Sequence, residues 1–164
     1  MTVIGIDPGS QKTGWGIVNE TGSRLELIEC GLIKSPPGGV FSHRLAHIYT
    51  QLVEVLISFR PESAAIENVF MSKNPMSALK LGQARGVAVA ACASRGIEIS
   101  DYSPTEVKQA LVGSGSAAKE QVAYMVGRLL GKRATEKPLD TTDALGVAIC
   151  HLGTVRFHKK AVLF

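Results

Sequence analysis

The chain has 164 residues, of which 45% are apolar, and this length suits one compact α/β domain with a buried core but is short for two domains. No stretch approaches the roughly 20 uninterrupted apolar residues of a membrane helix, and no export signal is visible, so we expect a single domain over residues 1–164 of a soluble cytoplasmic protein. The net charge of +4 arises from residues 83–164, which contain eleven basic and seven acidic residues, and it favours a polyanionic partner without identifying one.

The first half of the chain is predicted to form four strands and one helix. Turn sequences at Pro8-Gly9-Ser10 and Thr21-Gly22-Ser23 separate three short strand-like segments, which indicates an antiparallel meander. Apolar side chains then recur at helical spacing, and a short apolar strand follows as in a crossover to a parallel strand. The predicted elements are strands at Val3–Asp7, Trp15–Asn19 and Leu25–Ile33, a helix from about Phe41 to Phe59, and a strand at Ala64–Glu67.

The second half is predicted to be mainly helical, with prolines at three helix starts. The helix from Pro75 to about Arg95 is apolar or small on every side, so we expect it to be covered on more than one face, for example by a second subunit. The tail from about residue 155 is predicted to be weakly structured. The other predicted elements are a strand at Ile97–Asp101 and helices at Pro104–Val112, Ala117–Leu130 and Pro138 to about Leu152.

Four carboxylates have a sequence context that suits a metal site. Asp7 and Glu67 each end a short apolar strand, so they emerge at the same edge of the sheet if the two strands are parallel neighbours. Asp140 and Asp143 are three residues apart near the start of the last helix and therefore share one face. Oxygen ligands without Cys or His pairs favour Mg²⁺ or Mn²⁺, and two such ions support in-line hydrolysis of a phosphodiester.

Each of these acids, taken singly, also has a structural explanation. Asp7-Pro8-Gly9 is a good turn, and Asp140 and Asp143 would interact favourably with the positive end of a helix dipole. Glu67 is harder to explain in this way, because an unpaired charge at the end of an apolar strand is costly to bury. The pattern therefore favours a metal site over four unrelated structural acids.

Six segments spread over nearly the whole chain form a specific set of motifs. They are Ile4-Gly5-Ile6-Asp7-Pro8-Gly9, Thr13-Gly14-Trp15-Gly16, Ile66-Glu67-Asn68-Val69-Phe70-Met71, Ala78-Leu79-Lys80-Leu81-Gly82-Gln83-Ala84-Arg85-Gly86, Glu106-Val107-Lys108-Gln109 and Asp140-Thr141-Thr142-Asp143-Ala144-Leu145. In this order and at these spacings they resemble the RuvC family of Holliday junction resolvases, which are bacterial endonucleases with a ribonuclease H-like fold.

The resemblance implies a five-stranded mixed sheet, with three antiparallel strands followed by parallel ones, flanked by helices. It implies a crossover junction endodeoxyribonuclease that resolves Holliday junctions in DNA recombination and repair by paired, symmetric nicking of strands of like polarity. Asp7, Glu67, Asp140 and Asp143 would be its catalytic metal ligands, with two Mg²⁺ ions per subunit that Mn²⁺ can replace. In some relatives His fills the place of Asp140.

The resemblance also implies a homodimer that acts on a four-way DNA junction with the RuvA and RuvB branch-migration proteins in the bacterial cytoplasm. Phe70 resembles the family's aromatic residue that contacts unstacked bases, and Lys108 and Lys119 resemble lysines that approach backbone phosphates. Without the resemblance, Phe70 would be assigned to the core and the lysines to the solvated surface. Further candidate DNA contacts are Lys73, Asn74 and Arg85.

Two other functional classes stay open at the level of sequence. The acid and glycines of Asp7-Pro8-Gly9, Gly14 and Gly16 also suit the phosphate loop of an actin-like phosphotransferase or ATPase, but such proteins need two lobes and this chain supplies one. The second class is a branched-DNA-binding module without catalysis, and the presence of all four carboxylates argues against it.

Overall fold

A computed structural model describes residues 1–36, 38, 40–68, 74–135 and 138–161, without the side chains of 132, 135 and 159–161. These described residues form five strands and six helices. In chain order they are β1 (Thr2–Asp7), β2 (Lys12–Thr21), β3 (Arg24–Lys34), α1 (Phe41–Phe59), β4 (Ser63–Glu67), α2 (Pro75–Ala93), β5 (Glu98–Tyr102), α3 (Pro104–Val112), α4 (Lys119–Leu130), α5 (Lys132–Thr135) and α6 (Leu139–Ala161).

The five strands form one mixed sheet in the order β3-β2-β1-β4-β5. Tight turns join β1, β2 and β3, so these strands are antiparallel neighbours. β4 and β5 each return after a helix and therefore run parallel to β1 and to each other. The predicted sheet, with three antiparallel strands followed by parallel ones and flanked by helices, is confirmed.

The core lies on both faces of this sheet because successive strand residues point to opposite sides. Ile4 of β1 belongs to a buried cluster with α1 and α2, whereas the preceding Val3 belongs to a second cluster with α3, α4 and α6. α6 lies on the second face, directly against β1 and β2. Among the described helices, none combines the length and the apolar character needed to cross a bilayer.

The last helix is longer than the sequence pattern suggested. α6 continues to Ala161, so the prediction of a weakly structured tail from about residue 155 is wrong for the described residues. Residues 154–161 contain neither glycine nor proline, and nothing in them breaks the helix. Arg156 also forms an ion pair with Glu20 of β2 at 2.8 Å, which holds this part of the helix against the sheet.

α6 contributes a buried histidine to a polar network in the core. His151 is 5% exposed. Its Nε2 atom lies 3.0 Å from Oγ of Ser63 in β4, and its Nδ1 atom lies 2.9 Å from the hydroxyl oxygen of Tyr102 in β5. Burial lowers the pKa of His151, so the ring stays neutral at pH values at which an exposed histidine begins to ionise. The network connects α6 to two parallel strands of the sheet.

His151→Gln is expected to lower the free energy of unfolding by about 1–3 kcal/mol at neutral pH, because a buried hydroxyl loses its partner. The stability that neutral His151 contributes is fully present above pH 6.5 and is lost as the pH falls towards its lowered folded-state pKa, since only the unfolded chain then binds a proton. The variant should lack this part of the pH dependence. Urea unfolding over mildly acidic to neutral pH measures both effects, with the exposed His158→Gln as the control. If the unfolding free energy depended on pH in the same way in the wild type and in His151→Gln, the interpretation would be contradicted.

Candidate active site

The carboxyl groups of Asp7 and Glu67 lie next to each other at the ends of two parallel strands. β1 and β4 pair with Ile6 opposite Ile66, so the residues that follow leave the sheet at the same edge. The two carboxyl groups are close enough for each to shift the pKa of the other. The structure thus brings this predicted pair together.

The surroundings of the pair raise the pKa of both carboxyl groups. Burial first, and then the neighbouring carboxyl groups of Glu67 and Asp143, raise the pKa of Asp7 to about 8, although Lys119 opposes the shift. Burial also raises the pKa of Glu67, but there the hydrogen bond from Asp7 acts in the opposite direction. The metal-free pair therefore favours retention of a proton more than exposed carboxyl groups do. Buried acids with raised pKa values are in a place where an additional positive charge would be stabilising.

Asp143 reaches this edge of the sheet because α6 packs unusually close to β1 and β2. A Cβ atom on Gly5 would lie 2.0 Å from the carbonyl oxygen of Ala144, and one on Gly14 would lie 2.1 Å from the carbonyl oxygen of Asp140. Only glycine allows a helix backbone to approach the strands to this extent. Two glycines of the sheet therefore set the position of the acidic end of α6.

Two lysines complete a cavity of about 220 Å³ around the acids. Lys119, the first residue of α4, donates a hydrogen bond to Oδ2 of Asp143 at 3.0 Å. Lys108 comes from α3, whose first turn is fixed by a capping box between Ser103 and Glu106. The lining residues are Asp7, Glu67, Pro104, Val107, Lys108, Lys119, Val122 and Asp143.

Sequence reasoning missed the apolar part of this wall. Val107 and Val122 are each 4% exposed and belong to the core, yet they also face the cavity beside Pro104. No sequence signal distinguishes such valines from other core residues. The Ser103-x-x-Glu106 capping box, in contrast, is a pattern that predicts where the helix carrying Lys108 begins.

Asp140, the fourth predicted ligand, is not part of the cavity wall. It is partly exposed and lies in the first turn of α6, one turn before Asp143. Its role as a metal ligand stays a prediction.

The fit of a metal ion can be judged from the donor set. Within the part of the chain that the structure describes, no three side chains of His, Cys, Asp or Glu are placed to hold a metal ion as they stand. Without a metal ion, the raised pKa values of Asp7 and Glu67 favour retention of a proton, and Lys119 forms an ion pair with Asp143. A cation would displace the proton and the ammonium group. The cavity donors are oxygen atoms only, which suits a hard divalent ion.

Among the other predicted DNA contacts, Asn74 and Arg85 do not line this cavity. Phe70 and Lys73 are outside the described residues. Asn74 caps α2 by accepting hydrogen bonds from two backbone amides of the first turn, and Arg85 forms an ion pair with Asp101 of β5. Both residues therefore have structural roles, and their contact with DNA stays a prediction.

Comparison with known proteins supplies independent evidence. Residues 3–151 match the family of the crossover junction endodeoxyribonuclease RuvC. The RuvC of Lawsonia intracellularis is 51% identical over 98% of this chain and 95% of that protein, and the RuvC of Nitratidesulfovibrio vulgaris is 55% identical over 99% and 97%. A solved structure of Thermus thermophilus RuvC in complex with a Holliday junction substrate has a TM-score of 0.90 at 37% identity, covering 96% of each chain.

These similarities confirm the ribonuclease H-like fold class and do not favour the actin-like or the non-catalytic alternative. They extend over nearly the full length of the chain, including β1, β4 and α6, which supply the acids of the cavity. The chain belongs to the RuvC family of crossover junction endodeoxyribonucleases.

Proposed function

We propose that this protein resolves Holliday junctions in DNA recombination and repair, by nicking two strands of like polarity symmetrically through metal-dependent hydrolysis. The observation that carries the proposal is the cavity in which Asp7, Glu67 and Asp143 converge with Lys108 and Lys119. Acids alone repel a DNA phosphate, whereas acids that bind cations beside two lysines attract it. The junction bound to the Thermus thermophilus relative supports a four-way junction as the substrate.

The proposed cofactors are two Mg²⁺ ions per subunit, which Mn²⁺ can replace. Asp7, Glu67, Asp140 and Asp143 would hold them, and members of this family are metal-dependent nucleases. The raised pKa of Asp7 supports this assignment, because a bound cation would offset the repulsion from the neighbouring carboxyl groups that contributes to the shift. When bound, such ions activate a water molecule and stabilise the leaving oxygen of a phosphodiester.

The protein's own side chains bind and orient the phosphate. Lys108 and Lys119 would contact its non-bridging oxygens, the latter after release from Asp143. Val107 and Val122 close one side of the cavity, which limits access of bulk water and strengthens the electrostatic interactions inside.

Contacts with the rest of the junction are proposed from the family resemblance. Phe70 would stack on unpaired bases at the crossover, and RuvA and RuvB would act on the same junction in the bacterial cytoplasm. Further contacts are proposed for Lys73, Asn74 and Arg85.

The direct test compares a synthetic four-way junction with a linear duplex of the same sequence, in Mg²⁺ and in EDTA. We expect paired nicked duplexes from the junction only, and only with metal. Nicking in EDTA would contradict the metal dependence, and equal cutting of the linear duplex would contradict junction resolution. ATP hydrolysis without DNA would support the actin-like alternative.

We propose a homodimer whose interface includes α2. An open groove between α1 and α2 is lined mainly by apolar and small residues, among them Leu45, Tyr49, Val87 and Ala90. Met76 and Leu79 of α2 are 60% and 62% exposed, and because they are three residues apart they add a contiguous apolar surface to this helix. Two subunits related by a twofold axis would present two active sites to strands of like polarity, as symmetric nicking requires.

Leu79→Glu is expected to shift the protein from dimer to monomer at micromolar concentration, because a charge placed in an apolar interface loses its hydration. Ile57→Glu is the matched control, since Ile57 is also an exposed apolar residue but belongs to the C-terminal end of α1 and not to α2. Sedimentation equilibrium measures the effect. A monomeric wild type, or equal dissociation of both variants, would contradict an interface at α2.

A further inference from the structure

A second cavity, here called the basic cleft, contains three cationic side chains. It has a volume of about 330 Å³, and Gln11, Lys12, Lys34, Ser35 and Arg44 belong to its lining. None of the lining residues is acidic. A hydrogen bond at 2.9 Å from the amide of Ser35 to the carbonyl oxygen of Gln11 fixes the two chain segments that form the cleft. The cleft is thus a positively charged surface whose two chain segments are held together by a backbone hydrogen bond.

The three cations of the basic cleft repel one another. Lys12 is the first residue of β2, Lys34 is the last residue of β3, and the two are direct partners in the strand ladder. Like charges in directly opposite positions destabilise a sheet. Arg44 lies in the first turn of α1, which has no acidic residue to offset the positive end of the helix dipole.

Nothing in the described part of the chain neutralises this charge. None of the ion pairs found there includes Lys12, Lys34 or Arg44. The buried Nε atom of Arg44 and the buried Oγ atom of Ser35 have no hydrogen-bond partner either. Unsatisfied buried donors beside uncompensated cations lower stability, and such a loss is typical of a site that is completed by a ligand. The three cations of the cleft favour an anion as this ligand.

The basic cleft and the carboxylate cavity open at the same edge of the sheet. β3 runs parallel to β1 and is separated from it by β2, so Lys34 and Asp7 end their strands on the same side. With strands about 4.8 Å apart, the two cavities lie on the order of 10–15 Å from each other. Successive phosphates of one DNA strand are about 3.4 Å apart along the helix axis, so the distance between the two cavities corresponds to a few nucleotides.

We propose that the basic cleft binds a backbone phosphate of the junction arm that is cut, a few nucleotides from the scissile bond. The inference rests on the proposed function, and it adds a binding site from the first third of the chain to the cations of the carboxylate cavity. Because a phosphate contact carries no sequence information, the basic cleft contributes affinity and position on the arm but no base preference.

The test compares two double variants that each remove two positive charges. Lys12→Gln/Lys34→Gln changes the basic cleft, whereas Arg24→Gln/Arg95→Gln changes exposed arginines that precede or begin β3 and β5 at the opposite edge of the sheet. Junction binding is measured in EDTA, so the result does not depend on cleavage. We expect the first variant to bind about 10-fold more weakly near physiological salt, with the slope of log affinity against log salt reduced by about 1, and the second to bind like the wild type.

Two further measurements locate the phosphate. A single uncharged methylphosphonate linkage, moved along the arm, should weaken wild-type binding at a position a few nucleotides from the cut and should not weaken the Lys12→Gln/Lys34→Gln variant further. Thermal denaturation should show this variant at least as stable as the wild type, because the repulsion between opposed lysines is removed.

Equal weakening of both double variants, or of neither, would overturn the proposal. Stabilisation of the wild type by inorganic phosphate, without any difference in junction binding, would identify a site for free anions and overturn the role in DNA binding. If the binding results are as expected but the wild type does not nick the junction, the proposed nuclease function fails while the phosphate site stands.

Discussion

Asp7→Asn is expected to abolish nicking of a four-way junction while binding of the junction persists. Asparagine has the same size but removes the negative charge at the centre of the carboxylate pair, so a divalent cation loses a ligand that no neighbour replaces. A loss of about 4 kcal/mol of transition-state stabilisation corresponds to a rate reduced about a thousandfold. Single-turnover nicking at saturating protein in Mg²⁺ measures it, and a rate within tenfold of the wild type would contradict the proposed site.

The same substitution should stabilise the metal-free protein, with a pH dependence of defined sign. Because the pKa of Asp7 is raised from 3.8 to about 8, the folded protein retains a proton that the unfolded chain releases. The stability linked to this proton is fully present below pH 3.8 and is lost as the pH rises through about 8. In EDTA at about pH 8, Asp7→Asn should therefore exceed the wild type by about 1–2 kcal/mol in unfolding free energy.

Urea unfolding with and without Mg²⁺ separates this effect from a general change of charge. Mg²⁺ should stabilise the wild type more than Asp7→Asn, because the bound ion replaces the proton. Glu26→Gln removes an exposed carboxylate of β3 and serves as the control. Neither its unfolding free energy nor the stabilisation by Mg²⁺ should differ from that of the wild type. A metal-free Asp7→Asn protein less stable than the wild type at this pH would show that Asp7 contributes to packing instead.

The elements bounded by turn chemistry were predictable from the sequence, and the elements fixed by long-range contacts were not. Pro75 and Pro104 begin helices in the structure as predicted. The end of α6 was placed too early, because its last turns are polar and resemble a solvated tail in sequence. What holds them is the contact of Arg156 with Glu20, which no local pattern contains.

The same distinction applies to the candidate site, of which one part was predictable from local sequence patterns and another part was not. The convergence of Asp7 and Glu67 follows from the strand-end pattern, because parallel neighbours place their ends at one edge. The raised pKa of Asp7 and the ion pair between Lys119 and Asp143 depend on how α4 and α6 pack, which periodicity does not encode.

The basic cleft was missed because charge was counted along the chain. Residues 1–82 hold seven basic and seven acidic residues and appear balanced. In the fold, Lys12 and Lys34 meet at one edge of the sheet, whereas Glu26 lies near the opposite end of the same strand β3. A neutral average thus hides a local excess of positive charge.

Gly5→Ala is expected to destabilise the protein by about 3 kcal/mol and to slow nicking by the folded protein about a hundredfold. The added Cβ atom would lie 2.0 Å from the carbonyl oxygen of Ala144 and 2.8 Å from the amide nitrogen of Ala148. Both are backbone atoms of α6, which cannot turn away as a flexible side chain does, so the helix has to shift. Asp143, the residue before Ala144, shifts with it, and a displacement of about 1 Å at a catalytic group costs about 10²-fold in rate.

Gly153→Ala is the matched control for Gly5→Ala, because it adds the same methyl group to α6 itself at a place where a Cβ atom meets nothing within 4 Å. It should raise the unfolding free energy by about 0.5–1 kcal/mol, since alanine is the better helix former, and leave nicking unchanged. Urea unfolding and single-turnover nicking at a temperature at which all three proteins are folded separate stability from positioning. If Gly5→Ala lost stability but nicked at the wild-type rate once folded, the close packing of α6 on β1 would support the fold without setting the position of Asp143.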